Sequence, residues 1–325
     1  MPKRLMIIDS LNLFIRNYIV DPSMSTNGQP LGGLKGYFKS LQKLVREVRP
    51  NGIVVCHDGP GGSRKKKTII KNYKDGRKPI RLNRDIKNLT EDQEIQNKVW
   101  QQLRVIEYLN CMPIVQLLEK EVEADDLISV VAQHQKFKDW DKVIVSSDKD
   151  FIQLCNKNTV LYRPIQNEVL TTKKVLEEFK IHPNNFAVAR AMAGDPSDNI
   201  EGVKGVGLTT IANRMPFLLE EKEYLTGEVI DFCKKQVDEG SKLKLFQNII
   251  DCSELVHTNY TVMQLSSPNL SFQVLQKIDY AFDNYNPEFN LTEVRKMMIE
   301  DGFGEVKFDE LYAALKKIIA DHKEA

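Results

Sequence analysis

The sequence predicts an α/β fold in which a mainly parallel central sheet is flanked by helices. Along the first half of the 325-residue chain, short apolar runs alternate with longer segments whose apolar residues recur at helical spacing. Continuous apolar runs are typical of strands buried on both faces, and their alternation with helices is typical of a parallel sheet. The predicted strands are 5–8, 53–56, 112–117, 142–146 and 159–162.

The predicted helices lie between these strands and make up most of the remaining chain. A Gly-rich turn near Gly32 and Gly33 is expected to lead into the first of them. Helices are expected at 34–48, 91–109, 124–135, 179–192 (interrupted at His182 and Pro183), 228–237, 242–255, 272–282, 292–301 and 308–322. We expect residues 1–193 to form an α/β domain and residues 194–325 to form a helical module.

The composition excludes several classes of protein. Hydrophobic residues make up 42% of the chain and charged residues 28%, so a full core can be buried, and the net charge of +1 gives no global attraction for nucleic acid. The five cysteines are scattered without a CxxC pair, which argues against a zinc knuckle or a disulfide framework. There is no run of about 18 apolar residues, so we expect no membrane span and a reducing, cytoplasmic compartment.

Acidic residues are crowded into three short segments. The first holds Glu123, Asp125 and Asp126, the second Asp148 and Asp150, and the third Asp195 and Asp198. Because like charges repel, such crowding indicates a divalent cation between them. Oxygen donors without nearby His or Cys favour Mg²⁺ or Mn²⁺ over Zn²⁺. A solvated acidic helix face is the alternative, and it is the preferred interpretation for Glu119 and Glu121.

The positions of the carboxylates along the chain strengthen the metal hypothesis. Asp9, Asp58 and Asp148 each follow a predicted strand, and ligand sites of open α/β sheets lie beyond the carboxyl ends of the strands. The segment that begins at Glu123 opens the helix after the third strand and is therefore expected on the same edge. A single aspartate after a strand is often a turn or N-cap residue, but this convergence favours a metal site.

A strongly basic segment, which we call the arm, occupies the insertion 59–88 between the second and third strands. Residues 64–87 contain eleven Lys or Arg against two Asp, a local charge of +9. Beside a carboxylate cluster, such a segment suits a phosphate-bearing polymer, because its cations can hold the neighbouring phosphates. Its apolar residues are sparse, which favours mobility without a ligand. A solvated surface loop or a localisation-type basic run is the alternative.

Glycines recur in the segment 202–207, which we call the glycine hairpin, ahead of a helix predicted to begin near Thr209. Gly202, Gly205 and Gly207 allow backbone N–H groups to approach a phosphate at a helix N-terminus. A Gly-Val-X-Gly-Val-Gly hairpin between helices indicates a sequence-independent contact with the DNA backbone, and a plain helix-turn-helix connector is the alternative. No Gly-Lys-Ser or Gly-Lys-Thr follows, so this segment is not a P-loop.

Together these motifs resemble the structure-specific 5′ nuclease family, which includes flap endonucleases, the 5′-exonuclease domains of bacterial DNA polymerases and bacteriophage homologues. In the order of the family they are Ile8-Asp9, His57-Asp58-Gly59, Glu123-Ala124-Asp125-Asp126, Ser147-Asp148-Lys149-Asp150-Phe151-Ile152-Gln153-Leu154, and Gly194-Asp195-Pro196-Ser197-Asp198-Asn199-Ile200 followed by the glycine hairpin. Tyr73-Lys74-Asp75-Gly76-Arg77 resembles the basic signature of the family's arch. The resemblance covers about residues 5–215, and it departs from the family at His57, where Phe is common.

The resemblance implies a PIN-like 5′ nuclease fold with a helical arch and a helix-hairpin DNA-binding module. It implies a divalent-metal-dependent 5′-3′ exonuclease or flap endonuclease that hydrolyses phosphodiester bonds at 5′ ends, flaps or RNA primers in replication and repair. Two Mg²⁺ ions, which Mn²⁺ can replace, would be held by Asp9, Asp58, Glu123 and Asp125 and by Asp126, Asp148, Asp150, Asp195 and Asp198.

For the arm and the glycine hairpin, the resemblance implies contacts with DNA. Lys74 and Arg77 would act as catalytic residues that draw in the scissile phosphate, and Lys66 is assigned to general phosphate attraction. DNA contacts are expected from Arg64, Lys66, Tyr73, Lys74, Arg77, Gly202, Lys204, Gly205 and Gly207. K⁺ would be bound by the backbone carbonyls of Val203 and Val206.

The expected partners are branched or nicked DNA with a 5′ single strand and RNA–DNA hybrids, together with single-strand-binding or polymerase proteins. We expect a stand-alone monomer, in the host cytoplasm if a phage encodes it. One rival hypothesis is a toxin-like or RNA-processing nuclease of the same sheet type, whose acidic cluster is usually smaller and which lacks the hairpin. The other is a non-catalytic DNA-binding module, against which the full acidic set argues, because burying unneeded carboxylates is costly.

Overall fold

The computed structural model describes residues 2–77, 80–87 and 89–324, and a six-stranded sheet lies at its centre. Lys78 of the arm and the predicted end of the arm at Asn88 lie outside the described residues. The strands, β1 to β6 in chain order, are Arg4–Asp9, Gly52–Cys56, Val115–Leu117, Asp141–Val145, Thr159–Arg163 and Glu168–Leu170. Their spatial order is β3-β2-β1-β4-β5-β6, and every pair is parallel except β5 with β6. The predicted mainly parallel sheet is confirmed.

The helices flank this sheet on both faces. In chain order, α1 to α14 are Ser10–Val20, Gly32–Val48, Arg64–Ile69, Glu91–Asn110, Ala124–Gln133, Thr172–Phe179, Phe186–Ala193, Leu208–Arg214, Thr226–Asp238, Lys244–Asp251, Ser253–Met263, Phe272–Asp283, Leu291–Glu300 and Asp309–Lys323. In the described ranges, no helix combines the length and the apolarity that crossing a bilayer requires.

Alternate residues of β1 face two separate cores. Leu5 and Ile7 pack in a cluster with residues of α5 and α7, whereas Met6 and Ile8 pack with residues of α1, α2 and α4. Burial on both faces is the reason that this strand reads as a continuous apolar run. The chain places β2 and β3 on one side of β1 and β4 and β5 on the other, so the strand order reverses beside β1. A crevice for ligands is expected at such a reversal.

The C-terminal helices cover both faces of the sheet. Residues of α9 to α12 join the cluster that contains α5 and α7, whereas residues of α13 and α14 join the other cluster. Between these last two helices, the Phe303 ring lies 5.6 Å from that of Tyr108, and the Phe308 ring lies 6.3 Å from that of Phe38. The domain boundary at residues 193 and 194 stays a prediction.

Several predicted boundaries were wrong for local reasons. Gly32 and Gly33 form the first turn of α2 instead of a turn before it. A Cβ at Gly33 would lie 2.7 Å from the ring of Phe14, so close packing accounts for the glycine at this position. The interruption expected at His182 and Pro183 is present, because Pro183 lacks an N–H and favours an extended residue before it, but Phe179 ends the preceding helix α6 instead of beginning the expected one. The helix expected at 242–255 is two helices that meet at Cys252. The helices α1 and α6 and the short strand β6 were not predicted.

Candidate functional site

Asp9 is the buried last residue of β1 and the N-cap of α1. Its carboxylate accepts hydrogen bonds from the backbone N–H of Asn12 at 3.1 Å and from the hydroxyl of Ser146 at 2.9 Å. Burial raises the pKa of Asp9 to about 7; the Asn12 hydrogen bond opposes this rise and the charge of Asp58 adds to it. Asp58 accepts the backbone N–H of Ala124 at 2.9 Å. Asp9 therefore has the local N-cap role that a lone aspartate often has, whereas Asp58 is exposed and bonds the start of α5, 66 positions further along the chain. The two aspartates share one edge of the sheet.

Glu123 is almost completely buried on this edge, and the arm supplies its partners. Its Oε2 lies 2.7 Å from Nζ of Lys66, and its Oε1 lies 2.5 Å from Nζ of Lys74. The hydroxyl of Tyr73 donates to Oε2 at 3.2 Å. Burial raises the pKa of Glu123, but the two ammonium groups outweigh it and lower the pKa to about 2. The arm therefore lies directly on the acidic cluster.

Three further carboxylates share this edge and have too little positive charge around them. Asp125 and Asp126 lie in the first turn of α5, and Asp148 follows β4. Burial raises the pKa of all three, and for Asp125 and Asp126 the charges of Lys66 and Lys74 offset part of the rise. Such raised pKa values arise where a buried anion lacks a counterion, which is what a bound cation would supply.

A second acidic group surrounds the guanidinium of Arg190 in α7. Its Nε donates to Asp150 at 3.0 Å and its Nη2 donates to Asp195 at 2.5 Å. Burial and the charge of Asp148 raise the pKa of Asp150 to about 7 although Arg190 opposes them. For Asp195, burial is outweighed by hydrogen bonds from Ser197 and by Arg190, so the pKa is lowered.

Arg190 was not among the site residues predicted from the sequence. Its sequence context could have indicated it. Arg190 is the one charged residue in the apolar helix Phe186–Ala193, and this helix directly precedes Gly194-Asp195. A cation in such a helix either reaches solvent or pairs with buried acids. Here only 12% of its side chain is exposed, and it pairs with acids.

The arm is fastened to the loop 194–200. The backbone N–H of Lys74 donates to the carbonyl of Asp198 at 2.8 Å, and the guanidinium of Arg77 pairs with the Asp198 carboxylate. Tyr73 is buried against Ile200. Arg64 behaves differently: it is 72% exposed and pairs with Glu121 at 2.7 Å. Of the predicted arm residues, Lys66, Tyr73 and Lys74 are thus buried or half-buried on the acidic cluster, whereas Arg64 and Arg77 are exposed.

The donor set fits a hard divalent cation in its chemistry, since every predicted ligand is a carboxylate. Within residues 2–77, 80–87 and 89–324, however, no three or more His, Cys, Asp or Glu side chains are already arranged to hold an ion. The amino groups of Lys66 and Lys74 lie against Glu123 instead, and Arg190 lies between Asp150 and Asp195. The assignment of individual ligands stays a prediction.

The three glycines of the hairpin 202–207 differ in their surroundings and backbone conformation. A Cβ at Gly202 would lie 2.1 Å from the carbonyl oxygen of Ala193, so packing requires glycine at this position. Gly205 has a φ of 77°, and Gly207 is the N-cap of α8; at both positions a Cβ would meet nothing within 4 Å. The open side of the hairpin is therefore at Gly205 and Gly207.

The other hairpin residues alternate between buried and exposed. Val203 and Val206 bury their side chains, and the N–H of Val206 donates to the carbonyl of Val203 at 3.0 Å. Lys204 is exposed. The DNA and K⁺ contacts predicted for this hairpin stay predictions, with an open backbone and an exposed cation in their favour.

Two comparisons by sequence identify relatives. The profile of the 5′-3′ exonuclease, N-terminal resolvase-like domain, matches residues 4–180. Over 217 residues the chain is 30% identical to the 5′-3′ exonuclease of Aquifex aeolicus, and the match covers 65% of this chain and 68% of that protein.

Two solved structures of bacteriophage T5 proteins share the fold. The T5 5′-exonuclease with bound zinc ions superposes with a TM-score of 0.67 at 20% identity, covering 86% of this chain and 99% of that one. The T5 D15 flap endonuclease, in a pseudo-enzyme-product complex with DNA and metal ions, gives a TM-score of 0.64 at 18% identity, covering 93% and 100%. At such identities the likeness concerns the fold, and it confirms the 5′ nuclease fold predicted from the motifs.

Proposed function

The chain belongs to the 5′-3′ exonuclease family and is a nuclease, and from that premise we propose that it uses divalent metal ions to hydrolyse phosphodiester bonds at 5′ ends and 5′ flaps of DNA. One observation carries this proposal. Carboxylates from the ends of β1, β2 and β4 and from the start of α5 meet at one edge, where the lysines of a basic arm reach Glu123.

The proposed metal ions are two Mg²⁺, which Mn²⁺ can replace. One would be held by Asp9, Asp58, Glu123 and Asp125, and the other by Asp126, Asp148, Asp150, Asp195 and Asp198. Two such ions supply an activated water and stabilise the leaving 3′ oxygen. The raised pKa values of Asp9 and Asp150, each about 7, support a cation at both ends of the cluster.

Lys74 and Arg77 act on the scissile phosphate in this proposal. Both already lie against carboxylates, and a phosphate that enters the site competes for the same donors through charge-assisted hydrogen bonds. Once transferred to the phosphate, the two cations offset the charge that develops on it in the transition state. Tyr73 belongs to the arm and is buried between it and the site, so its proposed DNA contact requires the arm to move away from the site.

The substrate is DNA that has both a duplex and a 5′ single strand. The open backbone at Gly205 and Gly207 together with Lys204 suits contacts to duplex phosphates, which carry no sequence information. The backbone carbonyls of Val203 and Val206 would hold K⁺, which would supply a positive charge for a duplex phosphate. The arm suits the 5′ single strand, and an RNA 5′ strand on DNA is a second proposed substrate.

We place this activity with replication and repair, in a monomer that meets single-strand-binding or polymerase proteins. Its five cysteines are free thiols, which suits a reducing cytoplasm.

Labelled flap, nicked, gapped and RNA-primed duplexes, incubated with Mg²⁺ or Mn²⁺, test the proposal. Cleavage near the 5′ end of the flap that EDTA abolishes is the expected result. Cleavage of structured RNA alone would support the rival RNA-processing nuclease, and tight binding without cleavage would support the non-catalytic module.

A further inference from the structure

Of three consecutive lysines in the arm, only the middle one lies in the acidic cluster. Lys66 has 15% of its side chain exposed, and its Nζ lies 2.7 Å from Glu123 and 3.9 Å from Asp126. Lys67 is 42% exposed and pairs with Asp75 at 2.6 Å, and Lys65 donates to a backbone carbonyl 3.3 Å away. The three residues lie in α3, where successive side chains point about 100° apart. The helix thus selects one lysine for the site, which the uniform run of lysines in the sequence does not show.

The contacts of Lys66 exclude a metal ion from the same atoms. Each oxygen of Glu123 faces an ammonium group, Oε2 that of Lys66 and Oε1 that of Lys74. A carboxylate oxygen in contact with an ammonium group cannot at the same time coordinate a divalent cation without bringing like charges together. In the part of the chain that the structure describes, no cage of three or more donors is assembled, which agrees with ammonium groups in place of ions.

We propose that Lys66 is a tethered competitor of the divalent metal ions, whose ammonium group occupies Glu123 and Asp126 and thereby holds the arm closed over the site in the absence of DNA. This inference rests on the metal site proposed above and adds a regulatory step to it. Metal binding displaces Lys66 and loosens the arm, and a DNA phosphate that takes up the freed ammonium group favours metal binding in turn. Such a coupling is reciprocal, since each event lowers the free energy of the other.

The docking of the arm supports this coupling. Over the acidic cluster the arm is held by Lys66, by Lys74 and by its contacts with the loop 194–200, where Asn199 donates to the carbonyl of Asn72 at 2.8 Å. Lys74 also bonds that loop through its backbone N–H, so removal of its side chain leaves a second attachment. Lys66 is attached to the site by its side chain alone, and its removal is the cleaner test.

The test measures Mn²⁺ binding to the whole protein without DNA, by titration calorimetry and by electron paramagnetic resonance of free Mn²⁺. Lys66→Met should bind Mn²⁺ at least about fivefold more tightly than Lys67→Met, the lower end of typical coupling between sites. Lys67→Met removes the same charge one residue away, so it accounts for general electrostatics. In parallel, protease without DNA should cut the arm faster in Lys66→Met than in Lys67→Met.

The outcomes separate this inference from the metal site. If the wild-type protein binds no Mn²⁺, both the proposed metal site and the competition by Lys66 are wrong. If the wild type binds Mn²⁺ but both variants bind it equally and their arms are cut at equal rates, the metal site stands and the competition by Lys66 is wrong. Lys66→Gln repeats the comparison with a polar side chain in case the Met variant does not fold.

Discussion

Arg190 donates a hydrogen bond from its Nη2 to Oδ2 of Asp195 over 2.5 Å. The same guanidinium reaches Asp150 through Nε, so a residue of α7 joins two acids from different loops. Arg190 differs from the lysines of the arm in its attachment, because it belongs to a helix of the core. Its position is therefore set by the packing of the core, whereas the lysines lie on an insertion.

Replacing Arg190 by Ala should lower the free energy of unfolding by about 3 kcal/mol in EDTA, because removing one partner of a buried ion pair leaves its acids without compensation. Arg190→Lys keeps the charge and should recover most of the loss. Urea unfolding of the three proteins at one pH measures both effects. Equal stability of the wild type and Arg190→Ala would show that the acids do not depend on this residue.

The pKa of Asp9 makes stability depend on pH. In the folded protein its pKa is about 7 against an ordinary value of 3.8, so between these values the folded state binds more protons than the unfolded state. The contribution of protonated Asp9 to the free energy of unfolding is therefore fully present below about pH 4, and it is lost as the pH rises to about 7. We expect Asp9→Asn to gain stability relative to the wild type across this range in EDTA. Asn can still cap α1, and the lowered pKa of His57 affects both proteins alike.

The measurement is urea unfolding at pH 4.5 and 7 in both proteins. A difference in stability that stays constant between the two pH values would contradict the raised pKa of Asp9. The pKa of Glu123 is lowered to about 2, so its ionised form stabilises the folded protein, and this stabilisation is lost only as the pH falls below the ordinary value of 4.5.

Asp148→Asn tests whether the carboxylates bind metal or support the fold. Burial and the nearby Asp198 and Asp195 raise the pKa of Asp148, so its negative charge destabilises the metal-free folded protein. The variant should lose at least about a hundredfold in cleavage rate with Mg²⁺, as removal of one electrostatic partner often does, and its thermal stability in EDTA should be equal or higher. Full activity in this variant would contradict its role as a ligand.

The parallel sheet and the acidic edge could be predicted because local signals agree with the fold. Strands buried on both faces leave uninterrupted apolar runs, and parallel strands bring their carboxyl ends to one edge, so Asp9 and Asp58 could be placed together from the sequence. Individual boundaries were less predictable. The helix α1 follows Asp9 with no intervening turn, and the three-residue strand β6 is too short to show a period.

The charged partners of the site could not be predicted, because they depend on tertiary contacts. Lys66 was assigned to general phosphate attraction, and its contact with Glu123 arises only when α3 is docked and one of its faces meets that residue. Arg190 needs the turn of α7 to reach Asp150, which is 40 positions away in the chain. The burial of Tyr73 could not be predicted either, because the arm has few apolar residues and Tyr73 packs against Ile200 in the loop 194–200.

The glycine hairpin should bind duplex DNA through its open side. At Gly207 the backbone is extended and a Cβ meets nothing within 4 Å, so Gly207→Val should leave thermal stability nearly unchanged. Its side chain would nevertheless obstruct the approach of a phosphate, and the Kd for duplex should rise about tenfold, roughly 1.4 kcal/mol. Fluorescence anisotropy at several salt concentrations measures this change.

A glycine outside the hairpin serves as the control for this prediction. Gly227 also has open space around a Cβ, so Gly227→Val should not change duplex affinity. If Gly207→Val binds single strands more weakly and duplex as tightly as the wild type, the hairpin contacts the single strand and the prediction is wrong.

The arm should contribute to turnover and not to affinity alone. Lys74 and Arg77 are paired with carboxylates of the site, and a bound phosphate would take over their hydrogen bonds. Lys74→Ala and Arg77→Ala should each lower single-turnover cleavage at saturating DNA about tenfold, roughly 1.4 kcal/mol of transition-state stabilisation. Arg64→Ala is the matched control, because Arg64 is exposed as Arg77 is but pairs with Glu121, which is not among the predicted metal ligands. It should weaken binding and reduce its salt dependence while leaving the saturated rate unchanged. If all three substitutions change only the Kd, the arm is a binding surface, and Lys74 and Arg77 do not act on the scissile phosphate.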